Sequence, residues 1–293
     1  MPSGIIIIDK PEGWTSQDVA AKLRGVFRER RVGHGGTLDP MATGVLPIFI
    51  GRATRGVEFF ESAEKEYVAG LRLGVETDTQ DTTGTVLQER AVNITRAQLE
   101  QVLARFLGPQ EQLPPMYSAV KIGGKKLYEL ARAGKTVERK PRAITIHELE
   151  LLDGEGADYR IRVRCSKGTY VRTLCHDIGQ ALGGGGCMSS LRRTKAGCYD
   201  LEHAITMDAL LRHEDPVSLL LPVDSLFAEL PAHTVGQGQL KAVFNGAAVK
   251  ASQLTDGSYR VYAPDGSFLL LGEAKDGVLR TIKSFFEVNT SGT

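Results

Sequence analysis

Residues Val32 to Gly44 read VGHGGTLDPMATG, and they set how the rest of the chain is to be read. Glycines at 33, 35, 36 and 44 give this backbone access to positive φ and to close approach by a ligand. One acid, Asp39, sits among them and is followed by Pro40, which disfavours helix at Asp39 and fixes its own φ. The carboxylate therefore belongs on a stiff, extended turn. A Gly-rich connector with a turn aspartate has the same ingredients. A phosphate-binding loop does not, because the lysine of G-x-x-x-x-G-K-S/T and the spacing of G-x-G-x-x-G are both missing. What separates the stretch from a connector is the whole string, with His34, Thr37, Leu38, Asp39 and Pro40 ahead of Ala42-Thr43-Gly44.

Upstream, GIIIID (Gly4 to Asp9) reads as a buried strand stopped by Lys10-Pro11-Glu12-Gly13. Ser16 then caps a helix whose Val19, Leu23 and Val26 or Phe27 recur at helical spacing. Lys22, Arg24, Arg28, Arg30 and Arg31 cover its remaining surface and bring a basic end to the glycine-rich stretch. Downstream, Val45 to Ile50 is strand-like, Ala53 to Phe60 suits a short helix, and KEYVAGLRL (Lys65 to Leu73) is rich in strand formers. Asp78 and Asp81 lie in a polar loop as paired carboxylates or as simple Asx-turn residues. Thr95 caps a helix lined by Leu99, Val102 and Phe106 and ended by Gly108-Pro109. DYRIRVR (Asp158 to Arg164) alternates as a half-buried strand, Thr169 to Leu182 reads as a helix ended by four glycines, and Cys187 to Cys198 reads as a strand. From Asp200 to Leu230 the chain turns acidic and helical; from Pro231 it shifts to Gly-punctuated strands that run to Phe286, and the closing NTSGT reads as disordered.

The 293 residues suit one large domain, alone or with a small one. No stretch approaches the ~18 apolar residues of a membrane helix, and GIIIID is too short for a signal peptide, so a cytoplasmic enzyme is the default. The four cysteines, at 165, 175, 187 and 198, are too widely spaced for a C-x-x-C pair and read as reduced, mostly buried thiols; a zinc site through Cys175-His176 is disfavoured because adjacent residues rarely hold one ion. The net charge of +1 hides segregation. Lys22 to Arg31 carries five basic residues and one acid (+4), and Lys121 to Arg142 carries eight and two (+6), so the remainder holds −9. Such basic stretches suit a phosphate backbone, or are solvated helix faces. Tyr117, just ahead of the second stretch, and Tyr128, among its lysines, suit stacking on bases.

The Val32–Gly44 string resembles the catalytic motif of the TruB-type pseudouridine synthases, the bacterial tRNA pseudouridine-55 synthases. The resemblance spans roughly residues 4 to 225. It continues in DKPEG, KEY, TDTQDTTG, PPMYSAVK, KGTYVR and LRRTKAG. It implies that Asp39 is the nucleophile and that His34 contacts RNA beside a flipped nucleotide. Tyr67 would stack on the target uracil and is a candidate proton acceptor. Arg172 and Tyr170 would border Asp39, with the guanidinium favouring the ionised carboxylate. Asp81 would support the site, Leu191 would pack against the base, and Lys10 would join the substrate-binding set. The four glycines at 183–186 depart from the family, where a polar loop is common.

The implied fold is α/β (α+β), a catalytic domain on a mixed, largely antiparallel sheet (residues 1–230), with a small β-rich PUA-like RNA-binding domain (231–293). A basic RNA-clasping insertion at about 113–145 marks the stand-alone bacterial type. The implied reaction is uridine to pseudouridine at position 55 of the tRNA T loop. It needs base extraction, a carboxylate, a cation and an aromatic, but no metal and no redox cofactor. The implied partner is the tRNA T-arm, met by a monomer with no obligate protein partner and no membrane. The residues leave three routes open to Asp39: attack at ribose C1′, attack at uracil C6, or removal of a 2′ proton to give a glycal. A different class of function, a tRNA-binding or tRNA-folding protein without essential catalysis, needs only the basic surfaces and the C-terminal module. Asp39, Tyr67 and Arg172 together speak against it, since none is needed for backbone binding. A nucleotide-binding enzyme would require the missing loop lysine.

Overall fold

Ile5 to Ile8 are all buried, and they divide by parity: Ile6 and Ile8 enter the main core while Ile5 and Ile7 enter a second cluster on the opposite face. A strand covered on both faces reads as an unbroken apolar run, which is why GIIIID carries no alternation. The structure, a computed structural model, describes residues 2–286, so the expectation about NTSGT lies outside it.

Ten strands form one mixed sheet: β1 (Gly4–Lys10), β2 (Val32–His34), β3 (Thr43–Ile50), β4 (Lys65–Leu73), β5 (Gly108–Gln112), β6 (Arg142–Glu155), β7 (Asp158–Cys165), β8 (Gly186–Ala196), β9 (Tyr199–Asp200) and β10 (Ala204–Thr206). The order is β10-β1-β3-β8-β4-β7-β6-β5, with β2 on β3 and β9 on β8. Only the β10–β1 and β3–β8 pairings are parallel. The expected mixed, largely antiparallel sheet is present. At the β3–β8 contact, a Cβ on Gly44 would lie 2.2 Å from the Arg193 carbonyl oxygen, and the φ of 99° there also favours glycine. The last glycine of the motif is therefore fixed by close strand approach.

Three helices matter for the site: α1 (Ser16–Phe27), α2 (Arg96–Ala104) and α3 (Val171–Ala181). The cap of α1 is Thr15 rather than Ser16. The Thr15 hydroxyl accepts the Asp18 N–H at 3.0 Å, and the Asp18 carboxylate accepts the Thr15 N–H at 2.8 Å. Ser16 is buried and serves the motif instead, accepting the Leu38 N–H at 2.8 Å and donating to the Leu38 carbonyl at 3.1 Å. Thr95 caps α2 as expected, but Gly108-Pro109 does not stop it; the helix ends at Ala104 and Gly108–Gln112 is the edge strand β5. The glycines after α3 turn the chain tightly into β8, and a Cβ on Gly179 would lie 2.2 Å from the Gly186 nitrogen.

The helical expectation for Asp200 to Leu230 is corrected. The segment contains one short helix, Met207–Arg212, among 3-10 turns and strand β10. Pro216 opens one of those turns, and Leu221 exchanges backbone hydrogen bonds with Ile5 at 2.7 and 2.9 Å, so the segment follows the sheet edge. Beyond it lies a β-rich C-terminal region of five strands: β11 (Ala232–Thr234), β12 (Val249–Lys250), β13 (Gly257–Tyr262), β14 (Phe268–Lys275) and β15 (Val278–Ser284), ordered β11-β13-β14-β15-β12. It has its own core around Val235, Val261, Leu270 and Leu279. Phe227, Leu271 and Phe285 join it to the larger body, with Phe59 packed against them.

Candidate active site

Asp39 lies outside regular structure, and both of its neighbours are held. Leu38 is fixed by the Ser16 hydroxyl. The Pro40 carbonyl accepts the Gly13 N–H at 2.8 Å and the Lys10 ammonium at 3.2 Å. Between these anchors the Asp39 side chain remains 39% exposed. The stiff turn expected from Pro40 is thus anchored from β1 and α1.

Arg172, in the first turn of α3, comes within 3.0 Å of an Asp39 carboxylate oxygen through its Nε. It is 7% exposed, and its other nitrogens donate to the carbonyls of Thr79 at 3.1 Å and Tyr117 at 2.8 Å. Its Nη1 also lies 3.7 Å from Asp81. Asp81 is buried and accepts from the Thr79 hydroxyl at 2.8 Å and from the Thr83 N–H and hydroxyl at 3.0 and 2.5 Å. Arg172 therefore has an opposite charge and an acceptor for each of its three nitrogens, the condition under which a buried guanidinium is tolerated. Asp81 stands behind it as its second acidic neighbour.

Tyr67, on β4, is half-buried and pairs across the strands with Arg193 on β8 and Val163 on β7. Burial raises its phenol above the ordinary value, and the Arg193 charge opposes that rise. Arg193 itself is 1% exposed; its Nε donates to the Val45 carbonyl at 2.7 Å and its Nη2 to the Gly36 carbonyl at 3.1 Å. It thereby clamps the motif loop on both sides of Asp39. In the sequence Arg193 reads as part of a strand, without a role. The available signal was its phase: residues two apart share a strand face, so Arg193 points the same way as buried Leu191.

The remaining expected residues divide. His34, on β2, is half-buried, with its Nε2 3.2 Å from the Gln17 amide nitrogen and its Nδ1 buried without a partner among the described residues. Burial, and then the Arg193 charge, lower its pKa, which favours a neutral imidazole at neutral pH. Tyr170 is the residue just before α3 and is half-buried. Leu191 is buried within the main core. Lys10 is 0% exposed, and beneath the loop its ammonium donates to the carbonyls of Pro11 at 2.9 Å, Trp14 at 2.6 Å and Pro40 at 3.2 Å. Burial there lowers its pKa to about 8. Lys65, also unassigned in the sequence, is buried nearby with its pKa lowered to about 8 by burial and then by Arg193, and it donates to the Ala63 carbonyl at 2.6 Å.

All four cysteines are free, and Cys165, Cys175 and Cys187 are buried while Cys198 is exposed. Among the described residues no cluster of His, Cys, Asp or Glu could hold a metal, and no helix is long and apolar enough to cross a membrane. A cavity of about 200 Å³ beside Gly183–Gly185, lined also by Leu73, Val92 and Ile94, contains none of the residues above.

The chain is similar to known proteins in sequence and in fold. The family model described as TruB family pseudouridylate synthase (N terminal domain) matches residues 24–171, and tRNA pseudouridylate synthase B C-terminal domain matches residues 172–228. A tRNA pseudouridine synthase B of Syntrophomonas wolfei is 45% identical, covering 96% of this chain and 98% of its own. One from Azoarcus sp. is 45% identical over 94% of this chain and 93% of its own. Among solved structures, a Cbf5-Nop10-Gar1 complex contains a chain 29% identical, with a TM-score of 0.73, covering 97% of this chain and 85% of that one. Two family models that meet between Val171 and Arg172, and relatives alike over nearly their whole length, place this chain in the TruB family of pseudouridylate synthases.

Proposed function

We propose that this protein isomerises uridine to pseudouridine in tRNA, at position 55 of the T loop, with Asp39 as the reacting carboxylate. The observation that carries the reading is the Arg172–Asp39 contact at 3.0 Å, in which a buried guanidinium meets a carboxylate that still faces solvent. Near-complete coverage of relatives named tRNA pseudouridine synthase B supports the tRNA substrate.

Isomerisation breaks the bond from N1 to ribose C1′, turns the uracil, joins C5 to C1′, releases the C5 proton and leaves a proton on N1. Attack on C1′, attack on C6 and removal of a 2′ proton all begin from an ionised carboxylate, so Arg172 serves each of them. A uridine in a loop must first be swung out of its stack to meet Asp39. Burial favours the neutral phenol of Tyr67, so its ring face is what it offers the loosened uracil, and its raised pKa weighs against a phenolate base. In this reading residues 1–230 form the catalytic unit and 231–293 a PUA-like RNA-binding unit, supported by a separate β-sheet core in the latter. The basic segment at about 113–145 lies against the T-arm. The protein acts in the cytoplasm as a monomer, without a protein partner.

The test is a single-turnover reaction of the purified protein with an unmodified T-arm transcript tritiated at uracil C5. Release of tritium from position 55 is expected. Tight binding without release would instead favour a tRNA-folding protein and overturn the catalytic reading.

A further inference from the structure

Strand β5 ends at Gln112, which pairs with Arg142, the first residue of β6. Everything between them is the basic segment. Gln112 is therefore the root of that segment, and its side chain is 4% exposed and turned inward. Its Oε1 accepts the Tyr170 N–H at 2.8 Å, and its Nε2 donates to the Tyr170 carbonyl at 3.1 Å. One amide thus grips both backbone groups of a single residue, as a neighbouring strand would.

Tyr170 is a demanding residue to hold. It stands just before α3 in extended conformation and has no side-chain cap. Its carbonyl also accepts the Leu174 N–H at 3.0 Å, the first hydrogen bond of the helix. Whatever fixes Tyr170 fixes the first turn of α3, and Arg172 is in that turn. Arg172 in turn reaches forward to the Tyr117 carbonyl, five residues past Gln112, at 2.8 Å. The stretch from Gln112 to Tyr117 is consequently tied to α3 at both ends.

We propose that Gln112 is a positioning residue for the reaction: its amide locks the first turn of α3 to the root of the basic segment and so sets the Arg172 guanidinium against Asp39. Gln112 makes no hydrogen bond to Asp39 and meets Tyr170 only at its backbone, so its loss acts through the first turn of α3 and hence through Arg172. Misplacement of a charged group by about 1 Å costs on the order of 100-fold in rate. RNA affinity, carried by many exposed basic side chains, stays nearly constant. The inference rests on the assignment of Asp39 and Arg172 as the reacting pair.

The experiment compares wild type, Gln112→Leu and Gln112→Glu with a T-arm transcript, measuring single-turnover rate, dissociation constant and melting temperature for each. Gln112→Leu removes both hydrogen bonds, whereas Gln112→Glu keeps the length and the oxygen that receives the Tyr170 N–H. The expected result is a rate about 10- to 100-fold lower in Gln112→Leu, an intermediate rate in Gln112→Glu, and dissociation constants within about threefold of wild type. A wild-type rate in folded Gln112→Leu, even with a lowered melting temperature, overturns the proposal, since that is what a purely structural role gives. Equal losses of rate and affinity also overturn it, because the root would then be gripping RNA. If Gln112→Leu does not fold, the same comparison of rate with affinity in Gln112→Glu decides. Asp39→Asn, run alongside, separates the two claims: turnover there sinks the assignment of the reacting pair, while its loss beside a wild-type rate in the Gln112 variants sinks only this inference.

Discussion

The arginine ladder across β6 and β7 and the single arginine of the candidate site both meet carboxylates, and they differ in almost every respect but chemistry. Across β6 and β7, Arg160 meets Asp153, Arg162 meets Glu150 at 2.7 Å and Glu66 at 3.4 Å, and Arg164 meets Glu148 at 2.9 Å and Glu64 at 2.6 Å. All of these side chains but Glu66 are open to solvent, each arginine but Arg160 has more than one acidic neighbour, and water can replace an exposed partner. In the candidate site, one buried guanidinium faces both Asp39 and Asp81. The number of ion pairs says little about their importance; the decisive property is whether a lost partner can be replaced.

Experiments can press on that contrast in order of expected effect. Asp39→Asn should abolish tritium release while leaving T-arm binding within about threefold, measured by filter binding. Turnover near wild type would break the comparison at its centre. Arg172→Lys keeps a charge but not the fork that reaches Asp39, Thr79 and Tyr117. Its single-turnover rate should fall about 100- to 1,000-fold. Arg172→Met leaves Asp81 buried and without its cation, and should lose about 3 kcal/mol in urea unfolding.

Gentler is the effect of pH on the buried lysines. Lys10 and Lys65 have folded pKa values of about 8, against an ordinary 10.5. Between those values the unfolded chain binds more protons than the folded one, so stability rises with pH, by at most about 1.4 kcal/mol per unit for each lysine. Below about pH 8 both states are protonated and this contribution is flat. Lys65→Met should therefore show a smaller stability change than wild type between pH 8 and 10, and an identical change would remove the assignment. Smallest of all, Arg162→Ala on the exposed ladder should cost less than about 1 kcal/mol and leave tritium release unchanged.

The legibility of the sequence follows a similar divide between local and distant. Strand Lys65–Leu73 coincides with KEYVAGLRL because β propensity and local spacing suffice for it. Position 44 needed a residue without a side chain, and the motif shows one. What local pattern cannot supply is that residues 39, 81 and 172 meet. That expectation comes through resemblance; in the fold the Arg172 guanidinium lies 3.0 Å from Asp39 and 3.7 Å from Asp81. The acid-rich stretch after Asp200 looked helical by composition, yet it is organised by the edge of β1, which composition does not describe. Lys10 and Arg193 were hard to place for one reason: their exposed-type side chains end on backbone carbonyls, and carbonyls are the same in every residue.

The parallel pairing of β1 with β10 joins Ile7 to Ala204, 197 positions apart. During synthesis the isoleucine-rich first strand therefore waits with one edge unpaired until that distant partner leaves the ribosome. At about 5–20 residues per second this takes roughly ten to forty seconds. An unpaired apolar strand edge invites aggregation over such an interval. The nascent chain thus has a defined window of vulnerability, and it closes only when β10 and the Leu221 contact with Ile5 complete the sheet edge.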